Sequence, residues 1–231
     1  MTAHETTVGA DGYVPTGARS LADLRAAAPG CQGCELHQPA SQVVFGRGNP
    51  DARVVMVGEQ PGDVEDRQGL PFVGPAGRLL RRAVDDAGIP VDQIYLTNAV
   101  KHFRFVSRGG RRIHQTPDRV HIVACRPWLV AEFAMLRPDV VVVLGATAAR
   151  ALLGPAFRVT RSRGVPLPWP ASAERPEEFP VGPAQLVATI HPSAVLRADD
   201  QQIAYRGLVT DLGVVRGLLA GRGSPTPAVR R

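Results

Sequence analysis

Four consecutive valines at 140–143, flanked by Asp139 and by 144-LG-145, constrain this chain more than any other stretch. β-branched side chains at every successive position suit a strand covered on both faces, which is the pattern of a parallel sheet. Short apolar runs recur at 53-RVVMVG-58, 94-IYLTNAV-100 and 185-QLVATI-190. Helical patterns separate them. The stretch 77-GRLLRRAVDDAG-88 puts Leu79, Leu80, Ala83 and Val84 on one face and stops at Gly88, ahead of Pro90. A long helix is expected from about Asp118 to Leu136, with a kink or break at Pro127, and further helices at 146–153 and about 203–219. This alternation predicts an α/β fold, a three-layer α/β/α sandwich with a central, mainly parallel four-stranded sheet.

A single domain is expected over residues 19–220, with a disordered N-terminal segment at 1–18 and a flexible tail at 221–231, both polar and rich in small residues. The N-terminus lacks the charged and apolar regions of an export signal, and 140-VVVVLGATAA-149 is too short to span a bilayer. A cytoplasmic protein, with no membrane partner, is the expectation. No extended apolar repeat calls for a partner helix, so a monomer is expected.

The formal net charge is +6, and Lys101 is the only lysine. Between Lys101 and Arg126 there are seven basic residues and one acid, Asp118. Such a stripe suits a nucleic acid backbone, and arginine suits phosphate because its planar fork donates two hydrogen bonds at once. Inside the stripe lies 108-RGGRRIHQTP-117. It reads either as a solvated basic loop or as a flexible carrier for one histidine.

In parallel α/β sheets ligands bind at the carboxyl ends of the strands. That rule selects Glu59 and Gln60 after the first strand, Asn98 at the end of the second, Gly145 after the valine run and His191 after the last. Glu59, on a turn before Pro-Gly, is suited to orienting a nucleophile or stabilising positive charge. His191 can donate a hydrogen bond to a leaving group that gains negative charge. Asn98 carries a donor and an acceptor on one amide, as reading a base edge requires. Phe72 could stack on a base, but taken alone it reads as a core residue.

Three cysteines in a reducing compartment leave metal binding, catalysis or plain burial. Cys31 and Cys34 form a C-x2-C pair, Cys125 supplies a third thiol, and His102 or His121 could complete the set. The spacing fits zinc and an iron-sulfur cluster alike.

The set 58-GEQPG-62 with Glu65-Asp66, 69-GLPFVGPAGRLL-80, 95-YLTNAVKH-102, 144-LGATAA-149 and 190-IHPSAVLR-197 resembles the uracil-DNA glycosylase superfamily over roughly residues 20–219. The likeness is to its iron-sulfur family 4 enzymes and, within that neighbourhood, to the UdgX class. Family 4 holds a [4Fe-4S] cluster through four cysteines. The resemblance implies Cys31, Cys34, Cys125 and, in place of the fourth cysteine, His102 as ligands; histidine also replaces cysteine on Rieske iron. It implies Gly58, Gln60, Phe72 and Asn98 as uracil-binding residues and Arg111, Arg112 and Ser193 as DNA contacts. His114, Glu59, His191 and Arg112 are implied as the catalytic set. The loop of the UdgX class resembles 111-RRIH-114, but lysine usually stands where this chain has Gly110.

The implied partner is uracil-containing DNA, with single strands favoured. A uracil must leave the stack before its glycosidic bond can be reached. Asn98 would read it, Phe72 would stack on it, and His191 would stabilise its developing charge. His114 would then bond C1′ of the sugar where an ordinary glycosylase admits water. Two other readings stay open: a turnover glycosylase whose basic loop only holds phosphates, and a non-enzymatic DNA-binding protein with a zinc pin.

Overall fold

The computed structural model describes residues 9–169 and 185–221. In chain order its strands are β1 (Arg47–Gly48), β2 (Val54–Gly58), β3 (Ile94–Asn98), β4 (Phe105–Arg108), β5 (Arg111–His114), β6 (Val140–Leu144), β7 (Pro166–Pro168) and β8 (Gln185–Thr189). The α-helices are α1 (Leu21–Ala27), α2 (Asp63–Gln68), α3 (Pro75–Asp86), α4 (Arg119–Met135), α5 (Gly145–Leu153), α6 (Val159–Ser162), α7 (Pro192–Leu196) and α8 (Gln201–Gly221).

The valine run becomes β6, buried at every position, and pairs in parallel with β2 on one side and β8 on the other. Period-two alternation then sends Val55, Val57, Val141, Val143, Leu186 and Ala188 into one core, which contains residues of α1, α4 and α5. Val54, Met56, Val140, Val142, Leu144 and Val187 enter the opposite core with α3 and α8. This is the predicted layering of helices on both faces of a mainly parallel sheet.

The sheet has six strands in the order β1-β3-β2-β6-β8-β7, not four. The four long apolar runs are its parallel centre. The two additions are short antiparallel edges, two residues in β1 and the Pro-Leu-Pro of β7. Neither carries an apolar alternation that a sequence pattern would reveal, and proline is tolerated at an edge because its missing donor faces outward.

Pro127 does not end α4. The carbonyl left without a partner is that of Val123, whose side chain is exposed, so water can satisfy it. The start of α4 is closed by a capping box in which Asp118 and His121 exchange bonds with each other's main chain.

Part of the segment expected to be disordered is docked. Gly9 donates to Gly33 O and Ala10 to Ala124 O, and Ala10 is buried beside the cysteine-bearing turn. Residues 1–8 and 222–231 of the expected flexible ends, and 170–184 of the Pro-rich connection, lie outside the described residues. No helix among the described residues is long and apolar enough to cross a membrane.

Candidate functional site

The carboxyl ends of β2, β3, β6 and β8 open into a cleft of about 1090 Å³ lined by Glu59, Gln60, Phe72, Asn98, Gly145, His191 and Ser193, together with His114 from the hairpin. Each selected strand-end residue therefore reaches one place. Close packing makes this possible. A Cβ on Gly145, at φ +87°, would sit 2.9 Å from His191 Cβ.

Glu59 stands between two elements. One carboxylate oxygen, Oε2, accepts a short hydrogen bond from Thr147 at the start of α5, and Oε1 lies 3.4 Å from His114 Nε2. The His114 side chain is 49% exposed, so a substrate can reach the ring. Burial pushes its pKa below the usual histidine value; the Glu59 carboxylate opposes that shift and Arg197 adds to it. The His191 pKa is lowered to about 4 by burial first and then by His114 and Arg197. His191 Nδ1 accepts the Ser193 main-chain N–H at 3.2 Å and lies 2.8 Å from Ser193 Oγ. The neutral ring consequently carries its proton on Nε2, as a donor. Ser193, expected as a DNA contact, lines the cleft and orients His191.

Asn98, Gly58 and Phe72 form one wall. A Cβ on Gly58 would lie 2.4 Å from Asn98 Oδ1 and 2.7 Å from Phe72 Cζ, so the amide and the ring both close on bare backbone. Phe72 adopts φ +56°, the one non-glycine residue at positive φ among those described. For a bulky side chain this conformation is strained and persists only where the surroundings impose it. Gly77 makes room for it, since a Cβ there would overlap the Phe72 carbonyl, and Glu65 fixes the loop's end by accepting the Gly74 N–H at 2.7 Å.

Gln60 lines the cleft and is also tied to the hairpin: its amide donates to the carbonyls of Arg104 (3.2 Å) and Gln115 (3.0 Å) and accepts Arg104 N–H (3.0 Å), which commits both amide protons to clamping the hairpin's base.

The basic segment is a β-hairpin rather than a loose loop. Gly109 and Gly110, at φ +56° and +73°, make the two-residue turn between Arg108 and Arg111, a conformation that twisted strands prefer and that only glycine adopts without strain. Alternation along β5 splits 111-RRIH-114. Arg111 and Ile113 are exposed, whereas Arg112 and His114 turn toward Phe103 and Phe105. Arg112 is not directed at the cleft. Its Nε contacts Asp63 at 2.5 Å, its Nη1 contacts Asp66 at 2.6 Å and Ser41 Oγ at 3.1 Å, and its guanidinium lies over both phenyl rings. It anchors the hairpin to α2, and Arg111 is the outward cation.

Cys31, Cys34, Cys125 and His102 are all buried. Burial raises the Cys34 and Cys125 thiols to about 11 and about 12, with the other thiols adding to the shift, and burial lowers His102 to about 4. His121 is excluded from the set because its ring bonds Asp118 N–H and Glu35. Among the described residues no three His, Cys, Asp or Glu side chains meet at the spacing of a single ion's ligands. Three buried thiols and a buried imidazole supply the donor types a cluster takes.

Several cleft residues escaped sequence reasoning. Thr147, Arg150, Leu196 and Arg197 lie at helix starts or ends where the pattern carries no chemical signal. Arg197 could have been sought as a cation six residues after His191. Beneath the cleft lies a fully buried ion pair, Lys101 with Glu132, separated by 31 positions in the chain.

The fold and cleft define an α/β protein whose polar groups converge at the carboxyl ends of a parallel sheet. Residues 45–212 match the family model described as the uracil DNA glycosylase superfamily, and the chain belongs to that superfamily. A Type-4 uracil-DNA glycosylase of Thermotoga maritima is 38% identical over 168 residues, covering 72% of this chain and 78% of the relative. A Type-4 uracil-DNA glycosylase of Sulfurisphaera tokodaii is 32% identical over 182 residues, 77% of this chain and 76% of the relative.

Proposed function

We propose that this protein excises uracil from DNA and then bonds His114 to C1′ of the sugar left behind. Superfamily membership and relatives named Type-4 uracil-DNA glycosylases support the excision. The capture step rests on one observation: an accessible imidazole sits 3.4 Å from the Glu59 carboxylate in the same cleft as His191.

A uracil turned out of the stack enters against the Asn98, Gly58 and Phe72 wall. The C1′–N1 bond breaks with its electron pair passing to uracil, and His191 Nε2–H donates to the carbonyl oxygen that gains charge. Glu59 faces the cationic sugar, held by the Thr147 hydroxyl. Glu59 Oε1, 3.4 Å from His114 Nε2, takes the Nε2 proton as the freed lone pair forms the bond to C1′. Glu59 then releases that proton to solvent, and the uracil anion takes one up. No water is consumed, and no second step releases the protein.

Arg150 and Arg197 along the cleft and exposed Arg111 on the hairpin supply phosphate contacts, and exposed Leu196 at the cleft's rim can fill the gap a departed base leaves. Cys31, Cys34, His102 and Cys125 would hold a [4Fe-4S] cluster, a structural pin joining the N-terminal segment to α4. Single-stranded DNA is the favoured substrate, because no pairing energy opposes base capture. The protein acts as a monomer in the cytoplasm.

Purified protein mixed with uracil-containing single-stranded DNA should give a complex that survives SDS and boiling, with none on thymine DNA. Consumption of many substrate molecules per protein would favour plain turnover, the activity printed in the relatives' names.

A further inference from the structure

Lys101 is 1% exposed and Glu132 0%. An apolar pair of similar volume would hold the fold as well or better, so stability alone does not account for them. What the ammonium touches does. Its three protons go to Glu132 Oε2 at 2.5 Å, Thr97 Oγ1 at 2.7 Å and the Asn98 carbonyl at 2.8 Å. Glu132 is held in turn by Tyr95 OH at 2.9 Å and Thr97 Oγ1.

The Asn98 carbonyl belongs to the peptide whose N–H, that of Ala99, donates to Gly58 O at 2.9 Å. An ammonium on the oxygen side polarises that peptide and strengthens the bond on its nitrogen side. Gly58 is the backbone against which Asn98 Oδ1 and the Phe72 ring close. The same lysine donates its main-chain N–H to Cys125 Sγ at 3.2 Å, so the thiol centre and the base wall meet in one residue.

We propose that Lys101, charge-balanced by Glu132, is a positioning residue that sets the Asn98 peptide and with it the uracil-reading amide. This rests on Asn98 reading uracil, as proposed above. Single-turnover uracil excision, inhibition by free uracil and thermal midpoint are compared for Asn98→Ala, for Lys101→Met with Glu132→Gln, and for all three changes together. The double variant avoids an unpaired buried charge. It should lose about 10- to 100-fold in excision, the order expected when a pocket shifts by about an ångström, and lose uracil inhibition in parallel. The triple variant should match Asn98→Ala within about threefold, because both changes act through one amide. Losses that multiply, or a double variant with full excision and uracil inhibition, would overturn the positioning role while leaving Asn98 as reader. Wild-type excision by Asn98→Ala would overturn both. If the double variant does not fold, Lys101→Arg keeps the charge but moves the donors off the carbonyl; its smaller loss should also vanish in the Asn98→Ala background, and full persistence there would overturn the proposal.

Discussion

Arg112→Gln separates holding the hairpin from doing chemistry. The guanidinium pairs with Asp66, which has no solvent exposure, and with partly exposed Asp63, and covers the Phe103 and Phe105 rings. Removing one partner of a buried ion pair costs about 3–5 kcal/mol when the other is stranded. Asp66 is not fully stranded, because Ser41 N–H still donates to both of its oxygens at 3.1 Å. The exposed Asp63 pair adds at most about 1 kcal/mol. A net loss of about 2–3 kcal/mol in hairpin docking is therefore expected, which at about 1.4 kcal/mol per tenfold corresponds to about 30- to 150-fold in the docked population. The assay scores two products from one mixture of protein and uracil DNA: the SDS-resistant adduct and free uracil. Adduct formation should fall by up to that factor, while uracil release falls far less, since Asn98, Phe72 and His191 sit on other elements. Unchanged adduct formation, or an equal fall in both products, would refute the assignment of Arg112 as an anchor.

His114→Ser should abolish the adduct and leave an abasic site, with protein recovered free on a denaturing gel; a persisting adduct would exclude His114 as the attachment point. Capture needs the neutral ring, and the folded-state pKa of His114 lies below about 6.5, so adduct rate should stay level as pH falls to that value and decline only in more acidic solution. A midpoint at or above the ordinary histidine pKa would contradict the environment described, and Arg197→Gln should move the midpoint upward because a repelling cation is lost. Cys34→Ser should lower iron and sulfide content and the thermal midpoint together; full iron content in that variant would remove Cys34 from the ligand set.

Period-two and helical patterns were enough to place the four central strands and the long helices, because burial on both faces writes itself into every successive residue. The strand-end rule likewise located Glu59, Asn98, Gly145 and His191, since parallel pairing aligns those ends whatever the details of the loops. The edge strands had no such signature. Nor did the hairpin: its two glycines read as slack in a flexible segment, and that they form a tight turn depends on the strands they join.

By itself the sequence determined the layered α/β architecture, the cleft's location and the strand-end residues that line it, because local pattern and strand-end position are properties of the chain. Only the tertiary structure decided that Arg112 faces α2 rather than the cleft, that Gln60 clamps the hairpin, that Ser193 sets the His191 tautomer and that Lys101 meets Glu132 beneath Asn98. Those roles depend on which groups across the fold compete for each donor and acceptor, and residues tens of positions apart acquire partners only once the sheet and its helices have brought them within a hydrogen bond.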